Sequence, residues 1–180
     1  DPRQVMAVCD KKKEQILAAV IKELAAHATA QTVPRVHIIT GQMGAGKSTA
    51  TDALSQALEG DCVVVDYDDL KRFVPGYAEQ ASKGYPGTVP GCKETARYLV
   101  DGLKSHVFDN RLNMIIQESI NNRDDEMFRL IKECRENNCR VSLNILAVDK
   151  PTSTMGIFTR YESGLKGINE GSGSPEGARR

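Results

Sequence analysis

Eight consecutive residues, Gly41-Gln42-Met43-Gly44-Ala45-Gly46-Lys47-Ser48, restrict this chain to very few folds. They spell G-x-x-x-x-G-K-[ST], the P-loop pattern, which has physical meaning only where a strand runs into it and a helix leaves it. Both flanks fit. Val36-His37-Ile38-Ile39-Thr40 is short, β-branched and apolar, so it reads as a buried strand, while Ala53, Leu54, Ala57 and Leu58 recur at helical spacing after Ser48. The glycines let the backbone wrap until its N–H groups face phosphate oxygens, and the helix N-terminus adds the positive end of its dipole. Lys47 is placed to reach the β- and γ-phosphates, and the Ser48 hydroxyl to ligate Mg²⁺. Gly41, Gln42, Met43, Gly44, Ala45, Gly46, Lys47, Ser48 and Thr49 are therefore the candidate binding segment for a nucleoside triphosphate.

Strand and helix signals alternate along the rest of the chain. Residues 11–28 carry Ile16, Val20 and Leu24 at i, i+4, i+8, with Leu17 and Ile21 beside them, and predict a first helix. Cys62 to Asp66 reads as a second buried strand, Asn113 to Gln117 as a third that ends at Glu118, and Arg140 to Val148 as a fourth. Helical spacing fills the intervals with Ala96, Leu99, Leu103 and Val107, then Met127, Leu130, Ile131 and Cys134, then Pro151 through Tyr161. Gly60 is a plausible stop for the helix after the P-loop. Such alternation predicts an α/β chain of the P-loop kinase type, a mainly parallel sheet flanked by helices in three layers. Between residues 70 and 92 the turn signals Pro75-Gly76, Gly84-Tyr85-Pro86-Gly87 and Pro90-Gly91 break the pattern. A loop that long reads as a lid or substrate-binding segment. Residues 1–34 thus form an N-terminal helix and connector, 35–165 the nucleotide-binding domain, and 166–180 a flexible Gly/Ser-rich tail.

Composition excludes some functions. The 24 basic and 24 acidic residues cancel, and no basic stripe stands out, which argues against a dedicated nucleic-acid binder. No apolar run reaches the ~18 residues of a membrane span and no signal-peptide pattern opens the chain, so a cytoplasmic location is expected. The chain starts at Asp1, which leaves targeting open. Cys9, Cys62, Cys92, Cys134 and Cys139 are an odd, scattered set and read as reduced structural thiols rather than metal ligands. His27, His37 and His106 cluster with nothing; His37 interrupts a strand and reads as a packed or satisfied ring.

In such folds ligands bind at the carboxyl ends of the strands. Asp66 and Asp68 follow the second strand, where a carboxylate facing the γ-phosphate takes a proton from an attacking hydroxyl or helps to hold Mg²⁺. The plainer reading is a solvated acid capping the next helix, which fits Asp68 and Asp69. Glu118 follows the third strand, as a ligand for a substrate hydroxyl or the metal, or again as a cap. Arg160, in the last helix, is a candidate to neutralise transferring phosphate, or a surface partner for Glu162. Arg179 and Arg180 stand in the tail.

Taken together these residues resemble the zeta-toxin family of P-loop kinases. The P-loop resembles the family's G-Q-x-G-(A/S)-G-K-(S/T), and Val64-Val65-Asp66-Tyr67-Asp68-Asp69-Leu70-Lys71 is similar to its hydrophobic-Asp-x-Asp-x-hydrophobic-(K/R) block. Pro75-Gly76-Tyr77, Ile115-Ile116-Gln117-Glu118-Ser119 and Leu146-Ala147-Val148 followed by Gly156 to Glu162 continue the likeness in order, over about residues 35–162. The resemblance implies a toxin or effector that moves the ATP γ-phosphate onto a hydroxyl of a nucleotide-linked metabolite, foremost the 3′-hydroxyl of UDP-N-acetylglucosamine, or a ribose hydroxyl of NAD. It assigns Asp68 as general base, Lys47 as the phosphate-binding lysine, Ser48 as the Mg²⁺ ligand, Asp66 and Glu118 to the substrate, and Arg160 to the γ-phosphate. A neutralising antitoxin is implied as partner, and delivery into another cell stays open. A 5′-hydroxyl polynucleotide kinase of the same fold and a non-catalytic nucleotide-binding module remain as alternatives.

Overall fold

The computed structural model describes residues 9–83, 89–118 and 124–169. The chain enters through α1 (Asp10–Leu24), β1 (Arg35–Gly41), α2 (Lys47–Ala57) and β2 (Val63–Val65). Two short helices, α3 (Tyr67–Leu70) and α4 (Tyr77–Ser82), flank a 3₁₀ turn at Lys71–Phe73. The long α5 (Cys92–Asp109), β3 (Met114–Glu118), α6 (Asp124–Glu136), β4 (Arg140–Leu146) and α7 (Lys150–Asn169) complete it. All strand pairs are parallel and lie in the order β2-β3-β1-β4. The phosphate-loop strand is thus one of the two inner strands of a sheet covered by helices on both faces.

Side-chain alternation sorts the layers. Val36 and Ile38 of β1, Val63 and Val65 of β2, and Met114 and Ile116 of β3 face α1, α5 and α6, where Val20, Leu99, Leu103, Val107, Leu130 and Cys134 meet them in the main core. Ile39 and Ile115 face the opposite way and pack with Ala50 and Leu54 of α2 and with Leu58 just after it. Each fully buried aliphatic side chain contributes roughly 1.5–3 kcal/mol of transfer free energy. This is the expected three-layer α/β arrangement. At the far end of the sheet the α1–β1 connector is latched by hydrogen bonds. Asp61 accepts from the Thr29 backbone N–H and hydroxyl, both at 2.6 Å, and from Gln31 Nε2 at 2.8 Å. The buried Asn113 side chain accepts from Arg35 N at 2.8 Å and donates to Asp61 O at 2.9 Å, so one residue ties the starts of β1 and β2. α2 stops where Gly60 turns with φ +75° and donates to Ser55 O at 2.9 Å, at the glycine that the sequence marks.

One local reading needs correction. The 70–92 segment is not one irregular loop. Tyr77 and Ala81, one helical turn apart, are buried with Val74 and Cys92 in a small core of their own; the turn signals mask that i, i+4 pair, and Gly84-Tyr85-Pro86-Gly87 lies outside the described residues. His37 is packed, as the sequence suggests, with its Nδ1 buried and without a hydrogen-bond partner among the described residues. Its pKa is lowered by burial and then by the Arg35 charge, both of which favour the neutral ring. On β4, Val141 packs at the margin of the main core, whereas Leu143 is 43% and Ile145 60% exposed. All five cysteines are free thiols. Among the described residues no helix is long and apolar enough to cross a membrane.

Candidate active site

Because every strand runs the same way, the residues following β1, β2 and β3 gather on one edge of the sheet. Thr40 pairs in register with Glu118, and Val65 with Ile116, so Asp66 stands one step past the paired part of β2. At the usual strand spacing, β2 lies roughly 10 Å from β1, with Glu118 on the strand between them. Phosphate loop, Asp66–Asp68 and Glu118 are therefore neighbours through topology although they are distant in sequence.

The phosphate loop leaves β1 at Gly41 and enters α2 at Lys47. The Lys47 ammonium folds over the loop and donates to Gly41 O at 3.0 Å and Gln42 O at 3.2 Å. Its charge is thus held against the loop, next to the N-terminus of an eleven-residue helix. Thr51, on the second turn, donates to Lys47 O at 3.0 Å and accepts from Gln117 Nε2 at 3.1 Å, which fixes the start of α2 against β3. Ser48 and Thr49 are exposed at the head of this helix. The oxygen of Ser48 is a donor of the kind that Mg²⁺ prefers, so the residues present fit a magnesium–nucleotide complex.

A second wall comes from α7. Gln42 Nε2 donates to Val148 O at 2.6 Å, and Ser153 Oγ donates to Met43 O at 2.6 Å. Gly44 (φ +74°) and Gly156 lie backbone to backbone: a Cβ on Gly44 would collide with Ser153 O, and one on Gly156 with Gly44 O. Only glycine fits at either place. Asp149 orients this helix by accepting from Thr152 N at 2.8 Å, as an N-terminal cap. Between the two walls runs an open groove of about 760 Å³, bounded by Gly44 to Gly46, Ser48 and Thr49 on one side and by Val148, Pro151, Thr152, Met155 and Thr159 on the other. Arg160 lies in α7 one turn beyond Gly156, on the same helical face. Its side chain lies outside the described residues, as do Arg179 and Arg180.

The acids after β2 divide their work. Asp66, rather than Asp68 or Asp69, caps α3, with its Oδ1 accepting from Asp68 N at 2.8 Å. Asp68 sits inside that turn, and its Oδ1 takes the Lys71 ammonium at 2.7 Å. Lys71 also lies 4.9 Å from the centre of the Tyr67 ring. Glu118 is half-buried; burial pushes its carboxyl above the usual range, Lys104 offsets part of this, and Glu126 and Asp101 add to it. Residues 119–123, which follow it, lie outside the described residues. Sequence reading did not single out Gln117, Lys71, Ser153 or Gly156 for these contacts. Only Lys71 had a local signal, its i+3 spacing from Asp68; the others act across 66 to 112 residues of chain.

The arrangement offers backbone amides and a lysine to a polyphosphate, a hydroxyl to its metal, and acids one and two strands away to an acceptor. Comparison with known proteins points the same way. A family model described as Zeta toxin matches residues 19–179. Toxin zeta of Streptococcus agalactiae is 23% identical over 154 residues, covering 86% of this chain and 53% of the relative. Toxin PezT of Streptococcus pneumoniae serotype 4 is 23% identical over 161 residues, covering 88% and 62% respectively. The chain therefore spans about half the length of the curated relatives it matches. A solved structure from work on the PezAT chromosomal toxin–antitoxin system of Streptococcus pneumoniae is similar with a TM-score of 0.78 at 23% identity, covering 90% of this chain and 67% of that one. That likeness is one of fold.

Proposed function

Because the chain belongs to the zeta toxin family, we propose that it is a kinase that transfers the γ-phosphate of ATP to a hydroxyl of a nucleotide-linked metabolite, acting as a toxin. The acceptor in this reading is the 3′-hydroxyl of UDP-N-acetylglucosamine. One observation carries it: a phosphate loop with its lysine drawn over the mouth shares one sheet edge with carboxylates at Asp68 and Glu118.

The acceptor oxygen attacks the γ-phosphorus, the bond from that phosphorus to the β–γ bridging oxygen breaks, and ADP leaves. Asp68 takes the hydroxyl proton. Lys47 and the loop amides neutralise β- and γ-oxygens, and Arg160 supplies further positive charge as it spreads over the transferred group. Ser48 would hold Mg²⁺, which when bound offsets phosphate charge. Asp66 fixes the turn that presents Asp68 and borders the acceptor. Glu118, whose carboxyl is pushed above its usual range by burial, borders the acceptor and can accept from its hydroxyls. An antitoxin protein is the proposed partner, in line with the toxin–antitoxin system to which the similar structure belongs.

The test is incubation of the purified chain with ATP, Mg²⁺ and, separately, UDP-N-acetylglucosamine, other UDP-sugars, NAD and an oligonucleotide, with products read by mass spectrometry. The proposal expects UDP-N-acetylglucosamine to gain one phosphoryl group and the oligonucleotide none. Modification of another small acceptor would replace the named substrate and keep the kinase. ATP binding with no phosphorylated product in any arm would overturn the reading in favour of a binding module.

A further inference from the structure

Resting on that kinase reading, we propose that Lys71 is a positioning residue for Asp68, fixing the rotamer of the carboxylate that receives the acceptor proton. Among the contacts that hold Asp68 are two within its own turn. Its backbone N–H donates to Asp66 Oδ1 at 2.8 Å, and its Oδ1 accepts from Lys71 Nζ at 2.7 Å. The lysine is itself immobilised: its side chain is only 14% exposed, its ammonium lies 4.9 Å from the Tyr67 ring centre, and its charge is felt by the buried Cys92 thiol at the start of α5. Packing between the α3 turn and α5 has already removed most of the rotamer freedom that a surface lysine gives up on pairing.

Two other i, i+3 lysine pairs among the described residues are of a different kind. In Lys13–Asp10 and Lys104–Asp101 the acid is 95% and 73% exposed and the contacts are 3.4 and 3.1 Å, whereas the Asp68 side chain is 37% exposed. Exposed pairs of that sort contribute little and orient nothing. An ammonium has donors but no acceptor, so Lys71 takes no part in the proton transfer. Its role is to keep one carboxylate oxygen in place, and a misplaced group of about 1 Å is enough to cost roughly 10²-fold in rate.

The experiment compares Lys71→Met and Lys71→Arg in the 180-residue chain, each in the parent and in an Asp68→Asn background, with thermal melts to establish folding. Lys71→Met should lower kcat about tenfold or more with KM for ATP changed by less than about twofold, since only the reacting geometry is lost. Lys71→Arg should recover most of kcat, and Lys71→Met should cost nothing further once Asp68 is Asn. Parent-like kcat in Lys71→Met, or equal losses in both backgrounds, overturns the proposal. A crystal structure of Lys71→Met decides it independently of turnover. An Asp68 carboxylate rotated from its place supports the role, and an unmoved one refutes it, even if the parent transfers no phosphate and the kinase reading itself has failed.

Discussion

At Glu118, the demands of binding and of stability oppose each other, because a half-buried carboxyl at the end of β3 resists ionisation. With the folded pKa raised above the unfolded value of about 4.3, the native state holds more protons in the interval between the two. Stability is therefore full below the unfolded value and falls as pH rises through that interval to the folded value. Glu118→Gln, which cannot ionise, should remove this loss. Denaturant melts at pH 4 and pH 8 should show the parent losing stability relative to the variant, while acceptor KM rises in the variant. An unchanged difference between the two pH values would mean that the carboxyl is not penalised by burial. Asp61, at the other end of the sheet, has the opposite sign. The Thr29 hydroxyl and N–H hold its pKa below the ordinary carboxylate value, with Gln31 adding to them. Its contribution is present above about pH 3.9 and is lost as pH falls through the folded pKa. Asp61→Asn should accordingly flatten the acid limb of the stability profile between about pH 5 and pH 2, a result that acid titration followed by circular dichroism would check.

Among the elements, α7 is the one whose placement matters most to the phosphate loop. It meets that loop through the Ser153–Met43 hydrogen bond and the Gly44–Gly156 contact. Gly156→Ala brings a methyl group against the carbonyl of Gly44, an overpacking that typically costs about 1–3 kcal/mol. If the loop absorbs that strain, the nucleotide dissociation constant should rise by roughly 5- to 150-fold, which calorimetric titration with ADP would measure. Parent-like affinity would remove α7 from the nucleotide site. The strand–loop–helix around Lys47 was legible because its signals are local: a β-branched run, spaced glycines, then a 3.6-residue period. The clamp on α7 was not, since Gln42–Val148 and Met43–Ser153 join residues more than 100 apart. Asp66 and Asp68 could be picked out as site acids, but local spacing does not decide which of two acids caps a four-residue helix. The structure makes Asp66 the cap and leaves Asp68 to Lys71.

The whole molecule is a parallel sheet with one covered middle and one bare margin. Alternating strands and helices announce that architecture in the sequence, but the strand order does not follow from it, and the order decides which strand ends become neighbours. It also makes β4 an edge strand, on which Leu143 and Ile145 stand exposed. With β1 in the centre, the phosphate loop has Glu118 on the adjacent strand and Asp68 just beyond the next, the arrangement on which the kinase reading depends. The measurement that tests this most directly follows ³²P from γ-labelled ATP, comparing the parent chain with Asp68→Asn and Lys47→Ala, with ATP affinity determined alongside. The account predicts label on a small-molecule acceptor with the parent chain. It predicts about 10²-fold or greater loss in Asp68→Asn at nearly unchanged ATP affinity, and weakened ATP binding in Lys47→Ala. Transfer by Asp68→Asn at the parent rate, or label released only as inorganic phosphate by the parent, would contradict it.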